Sequence, residues 1–232
     1  MSQDRVRVPI VLDIESEPDL EWIERTKDAF IASLEPPSNY KNAEAIANWF
    51  ETKVQERVQR AALSPIDGRI TAIAVARLWD DEIPYAWVGR GREAELIDEA
   101  ISMVSSLAGS GRGDRPILAG WRINGFDVPF LTARAALHNW RLPSWWPSHP
   151  KRYGATLDGA EILSEGRLHL WLERFGLPPK LGDGKDAPNM PDAELLEYVR
   201  NDVHVERALL QRLSLVSPEI AATNPLAMEP IE

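Results

Sequence analysis

No cysteine occurs among the 232 residues, which excludes disulfides and thiolate metal sites and suits a reducing compartment, so a cytoplasmic location is expected. Positive charge is also scarce. There are 26 Lys and Arg against 36 Asp and Glu, a formal net charge of -10, the wrong sign for bulk attraction to nucleic acid, which counts mildly against such a partner while local Arg and Lys can still hold a strand. Long apolar runs are missing. The apolar run after Asp4, Arg5 and Arg7 is too short for a secretory core, and no later stretch reaches membrane-spanning length, so no membrane partner is expected. His169, a lone histidine without ligand partners at regular spacing, reads as a helix-surface residue rather than a ligand.

Carboxylates are what the chain does supply, in three short stretches far apart in sequence. In Val11-Leu12-Asp13-Ile14-Glu15 the two acids lie two apart in a strand-like run, so both point to one face. Asp13 interrupts apolar residues, where an unpaired carboxylate is costly. Asp127, in Asn124-Gly125-Phe126-Asp127, falls where a strand gives way to a helix and suits a helix cap, a role that needs no chemistry. It also lies at a strand mouth, where α/β enzymes place ligands. Tyr198 and Asp202 are four apart on a helical segment and share a face. Brought together, four carboxylates and a phenol would bind divalent metal and align a water for attack on a phosphodiester.

The remaining pattern predicts an α/β fold of ribonuclease-H-like type, a mixed central sheet flanked by helices with a helical insertion after the first strand. Val8 to Ile14 reads as a buried strand. Residues 17–62 read as the insertion or lid, with Pro36-Pro37 as a break and Asn42 capping a second helix. Asn39-Tyr40-Lys41 reads equally as a substrate contact or a surface loop. Arg69 to Trp79 and Ile83 to Val88 form a hairpin around the acidic turn Asp80-Asp81-Glu82, followed by a helix through Leu96, Ile97, Ala100, Ile101, Val104 and Leu107. Pro116 to Ile123 is the next strand, and a helix runs from Asp127 to about Trp140 with Arg134 two turns along, facing a phosphate or a surface carboxylate. Residues 141–160 mix Trp145, Trp146, His149, Lys151, Arg152 and Tyr153, which suits either a stacking platform for bases or tryptophans covering the core beneath an irregular loop. A helix from Glu165 to Phe175 is closed by Gly176, and the loop after it carries Lys180 as a backbone contact. The last long helix opens at Pro191-Asp192, with Asp192 as its cap. Residues 1–213 make one domain on this reading, and 214–232 make a loose tail.

In their order and placement, these motifs resemble the DEDDy branch of the DnaQ-like, ribonuclease-H-fold 3′–5′ exonucleases, related to the proofreading domain of family-B DNA polymerases. Asp13 and Glu15 match the first motif, Asp127 in Phe-Asp-Val-Pro-Phe-Leu the second, and Tyr198 with Asp202 the third, Tyr-x-x-x-Asp. Glu197 stands where the histidine branch carries its His. Stand-alone exonucleases of this type also share Pro36-Pro37-Ser38-Asn39-Tyr40-Lys41, Leu63 to Ala76 and Gly176 to Lys180. Two departures are visible. Arg122 stands where members often carry Asn, with Asn124 as a substitute, and Ser16 replaces the usual Thr.

The resemblance implies a two-metal exonuclease acting on 3′ ends, most of all of single-stranded DNA, with Mg²⁺ or Mn²⁺ held by Asp13, Glu15, Asp127 and Asp202. Tyr198 would position the water, since an unperturbed phenol is a poor base at neutral pH. Leu12, Ile14 and Phe126 would line the pocket for the last base, with Ser16, Arg122, Asn124, Arg134 and Lys180 as further substrate contacts. With no polymerase domain attached, proofreading would need a polymerase or repair partner in trans. The alternatives are a nucleic-acid-binding protein on the same fold with weak or lost chemistry, an exoribonuclease, and a different carboxylate hydrolase on an α/β sheet.

Overall fold

The computed structural model describes residues 7–109, 114–147, 155–164 and 166–225. Its centre is β1 (Arg7–Pro18), whose near-continuous apolar run marks a strand covered on both faces. The strand does not end at the acidic pair, as the sequence suggests, but carries both acids inside it. A five-stranded mixed sheet forms in the order β3-β2-β1-β4-β5, with β2 at Gly68–Arg77, β3 at Tyr85–Val88, β4 at Arg115–Gly120 and β5 at Thr156–Asp158. β4 is parallel to β1 and to β5, whereas β2 and β3 form the antiparallel hairpin. Helices flank the sheet, and a helical insertion of α1 (Leu20–Arg25), α2 (Lys27–Ala32) and α3 (Ala43–Arg60) follows β1 in the chain. The architecture is ribonuclease-H-like.

Strand alternation divides the core into two layers. Ile10, Leu12 and Ile14 of β1 join Ile73, Val75 and Leu118 beneath α4 (Glu93–Leu107) and α5 (Asp127–Leu137). Val11 points the other way, with Ala72, Ala74, Ala76 and Ala119, toward α7 (Leu168–Phe175), α8 (Asp192–Leu213) and α9 (Pro218–Ala221). The alanine stripe of β2 leaves room for α8 to lie close on the sheet. Leu195, Val199, Val203 and Leu210 of α8 are essentially inaccessible to solvent, each contributing roughly 1.5–3 kcal/mol of burial. Asp13 and Glu15 share the parity of Val11, so the pleat turns both carboxylates toward α8.

The described chain divides into two compact units, one formed by the residues up to Glu15 together with those from Ile70 onward, the other by Ser16–Arg69. Within the second, Asp19 caps α1 and Asn42 caps α3, each accepting from a backbone N–H of its own first turn. Arg57 ties that unit together, donating to both Asp67 oxygens at 2.5 and 3.0 Å and to Thr26 Oγ1 at 2.9 Å. No described helix is long and apolar enough to cross a membrane.

Several local expectations are corrected. β5 and α6 (Gly159–Leu163) lie where the sequence suggests an irregular loop, because Thr156 and Leu157 pair with β4. Neither Asp127 nor Asp192 is an N-cap. Each is the first helical residue, behind Phe126 and Pro191, and neither helix has a side-chain cap. The segment that follows Leu213 is not a loose tail over its described part. There α9 buries Ile220 completely, and Trp79 Nε1 donates to Thr223 Oγ1 at 3.0 Å. Trp145 and Trp146 cover the core, Trp146 donating to Thr132 Oγ1 and Trp145 to Ser105 Oγ. His149, Lys151, Arg152, Tyr153 and Glu165 lie outside the described residues.

Candidate metal centre

Three of the expected acids meet. One oxygen each of Asp13, Glu15 and Asp202 lie within 4.8 Å of one another, two supplied by β1 and one by α8. The helix delivers its share by spacing: Tyr198, Asp202 and Glu206 recur every four residues, so all three face the sheet. They are 2%, 1% and 4% exposed, respectively. Asp13 Oδ2, Asp202 Oδ1 and the Tyr198 hydroxyl are buried without a hydrogen-bond partner. Buried polar atoms are normally satisfied, and hard carboxylate oxygens left without donors are the ligands a Mg²⁺ or Mn²⁺ ion prefers. The donor set therefore fits the implied metal.

One cation stands in the cluster. Lys180 Nζ lies 2.7 Å from Asp202 Oδ2 and 5.6 Å from the centre of the Tyr198 ring. Its loop is pinned to α8 by Asn201, whose Oδ1 accepts from Leu181 N at 2.9 Å. Gly184 brings the same loop over the acids: a Cβ there would stand 3.7 Å from the Tyr198 hydroxyl and 3.9 Å from Glu15 Oε2. Beside Lys180 opens a cavity of about 970 Å³, lined in part by Arg167, His169, Glu173 and Asp183.

The electrostatics follow from crowding like charges away from water. Burial, then the charges of Glu206, Asp202, Asp127 and Glu15, raises the Asp13 carboxyl well above the ordinary range. Burial and Asp202 push Glu15 up to about 8, with Lys180 opposing. Asp202 is raised by burial and lowered by Lys180. Burial works against the charge on Lys180, but Asp202 and Asp13 hold the ammonium above its usual range. Burial and the neighbouring carboxylates raise the Tyr198 phenol further, so it stays neutral.

Asp127 is not part of the three-acid group. It is 3% exposed, and its Oδ1 accepts from Ile14 N at 3.1 Å, locking the mouth of α5 to β1 between the two β1 acids. Burial pushes its carboxyl up to about 7, with the Ile14 hydrogen bond opposing.

The other expected contacts are placed elsewhere. Leu12 and Ile14 are 0% and 3% exposed, with their side chains in the α4–α5 layer of the core. Phe126, partly buried, packs on Phe130 with ring centres 5.3 Å apart. Asn124 is buried, its Oδ1 accepting from the Thr156 hydroxyl at 2.6 Å and its N–H donating to Asp158. Arg122 is exposed, takes a φ of 59°, and donates its backbone N–H to Asp158 Oδ1 at 3.0 Å. Ser16 donates its hydroxyl to Ala62 O at 2.5 Å. Arg134 is committed to a buried pair with Glu93, at 2.6 and 2.8 Å, because the acid lies across from it on α4.

One acid of the centre is not among those the sequence singles out. Glu206 is buried at the end of β4, where its Oε2 accepts from Trp121 N at 3.1 Å. A Cβ on Gly120 would sit 3.2 Å from that oxygen and 3.0 Å from Leu12 O, so glycine lets β1, β4 and α8 converge. Burial first, then Asp127 and Asp202, raises Glu206 well above the carboxylate range. A signal for it exists, since Glu206 is four residues after Asp202.

No protein-family model and no curated protein matches the chain. Among solved structures, it is similar to the family B DNA polymerase from the hyperthermophilic archaeon Pyrobaculum calidifontis, with a TM-score of 0.56 and 17% identity. The match covers 95% of this chain but 26% of the polymerase, so the chain spans about a quarter of that protein. At this identity the likeness is one of fold.

Proposed function

We propose that the protein is a metal-dependent 3′–5′ exonuclease of the DEDDy type, acting first on single-stranded DNA. The observation that carries this reading is the convergence of Asp13, Glu15 and Asp202 within 4.8 Å around unpartnered carboxylate oxygens, under a buried tyrosine. The likeness in fold to a DNA polymerase makes nucleic acid the partner to test first.

Asp13, Glu15 and Asp202 would hold divalent ions, with Asp127 contributing beside them. Such ions supply Lewis acidity to a phosphoryl oxygen and lower the pKa of a bound water. Hydrolysis adds water across the terminal P–O3′ bond: hydroxyl goes to phosphorus, a proton goes to the departing 3′ oxygen, and a nucleoside monophosphate leaves. Tyr198, kept neutral by its surroundings, orients the attacking water through its free hydroxyl and does not abstract the proton. Lys180 offsets the negative charge of the acids and faces the phosphate as its charge grows. Lys180 lines both the acid cluster and the cavity beside it, and Arg167 and His169 on the cavity wall would contact backbone phosphates of the strand leading to the terminal nucleotide.

A 5′-labelled single-stranded DNA oligonucleotide, incubated with Mg²⁺ or Mn²⁺ or with EDTA, tests the proposal. The expected result is a ladder shortening from the 3′ end, absent with EDTA and in Asp13→Ala. Matched RNA and duplex substrates rank the preference and separate an exoribonuclease. Folded protein that binds these strands without cutting them in Mn²⁺ would replace the enzyme with a binding protein.

A further inference from the structure

Glu206, 4% exposed, adds a fifth carboxylate to a site that four would complete, and its Oε2 accepts from Trp121 N. It is not part of the three-acid group whose oxygens share one position, so it is no direct ligand there. Yet it stands one helical turn after Asp202 on the same buried face of α8, beside Gly120 of β4, and its charge adds to those that raise the Asp13 carboxyl. When Asp13, Glu15, Asp127, Asp202 and Glu206 are ionised, the ammonium of Lys180 leaves four negative charges uncompensated. One divalent cation removes half of these, and a phosphodiester would still meet net repulsion. Two divalent cations balance the five acids together with Lys180.

Resting on the metal reading above, we infer that Glu206 is a positioning residue for the metal centre. It acts through its charge to make the site take up its second divalent cation, and through Trp121 N it fixes the end of β4 beside α8. It touches neither substrate nor the reacting atoms.

Two substitutions separate charge from anchoring. Glu206→Gln keeps an acceptor for Trp121 N–H and removes the charge, whereas Glu206→Asp keeps the charge and shortens the reach to Trp121. Mn²⁺ binding is measured by titration calorimetry on metal-free protein, with Asp13→Ala as control. The wild type is expected to bind two ions. In Glu206→Gln the weaker site should lose about tenfold or more in affinity, since a buried charge is removed at close range. Glu206→Asp should stay near the wild type.

Thermal melting without metal supplies a second readout, in which Glu206→Gln should melt above the wild type. A wild-type Mn²⁺ profile in Glu206→Gln, with binding lost in Asp13→Ala, would overturn the role of Glu206 and leave the metal centre standing. Failure of the wild type to bind Mn²⁺ at all would overturn both.

Discussion

Replacing Asp13 by Asn should make the metal-free protein more stable and the metal-loaded protein less so. Two unit charges 4.8 Å apart repel by about 3.5 kcal/mol at an effective dielectric constant near 20. Glu15 and Asp202 both lie within that distance of Asp13, so the two together repel it by about 7 kcal/mol or more, before protonation and Lys180 relieve most of it. A net gain of about 1–2 kcal/mol is expected, or roughly 2–8 °C in Tm for a chain of this size. The sign of the pH dependence is set by the raised carboxyls. A carboxyl whose folded pKa exceeds its unfolded value stabilises fully below the unfolded pKa, and that stability is lost as pH rises through the folded value. For Glu15 the window runs from its ordinary 4.5 to about 8, and for Asp127 from 3.8 to about 7.

Metal-free wild type should therefore melt progressively lower between pH 5 and about 8, and Asp13→Asn should show a flatter profile. Mn²⁺ at about a hundred times its Kd should raise the wild type by about 2.7 kcal/mol and leave Asp13→Asn nearly unmoved. The assay is differential scanning fluorimetry over pH, with EDTA and with Mn²⁺. A wild-type Tm indifferent to both pH and metal, or an Asn variant that melts lower in EDTA, would refute the claim that these acids are held together against their repulsion.

Three further outcomes are expected. Tyr198→Phe removes a buried hydroxyl beside the Asp202 carboxylate, so stability should fall by no more than about 1 kcal/mol. Its kcat should nonetheless fall about 10- to 100-fold in single-turnover assays if the phenol orients the water. Arg167→Glu, on the wall of the cavity beside Lys180, should raise KM for a long single strand about three- to tenfold and weaken its salt dependence. Its kcat should be unchanged, and an equal effect on a dinucleotide substrate would count against the strand path. Arg134→Ala breaks a buried pair with Glu93 and should cost about 3–5 kcal/mol by chemical denaturation. Its cleavage rate per folded molecule should be that of the wild type, and a selective loss of rate would return Arg134 to the substrate.

The sheet is legible where pattern and burial coincide. Val8 to Ile14 reads as a strand because a segment covered on both faces has apolar residues at both parities. The hairpin of β2 and β3 and the helix α4 show plain periodicity, as do the alanines that admit α8. β5 is invisible in the sequence because three residues carry no period, and Thr156-Leu157-Asp158 becomes a strand only by pairing with β4. The segment after Leu213 looks loose for the same reason: a four-residue helix is ordered by burying Ile220, a tertiary fact without a local signature.

The site divides along a similar line. Asp13 and Glu15, two apart on a strand, and Tyr198 and Asp202, four apart on a helix, are legible because regular structure fixes which face each side chain takes. Single residues in loops and first turns carry no such constraint, and their long side chains go to whichever partner the fold brings. Arg134 meets Glu93, Asn124 meets Thr156, and Asp127 turns from its own helix to Ile14 of β1. Glu206 marks the limit of the rule. Its spacing from Asp202 is as readable as that of Tyr198, yet an acid on a helix is ordinarily a solvated residue. The close approach of Gly120 to Leu12 and to Glu206 goes with its burial, and burial makes a surface charge part of the acidic cluster's electrostatics. Periodicity thus identifies the acids that share a face, while the approach of strand to helix decides which of them are shut away from water and must be answered by cations.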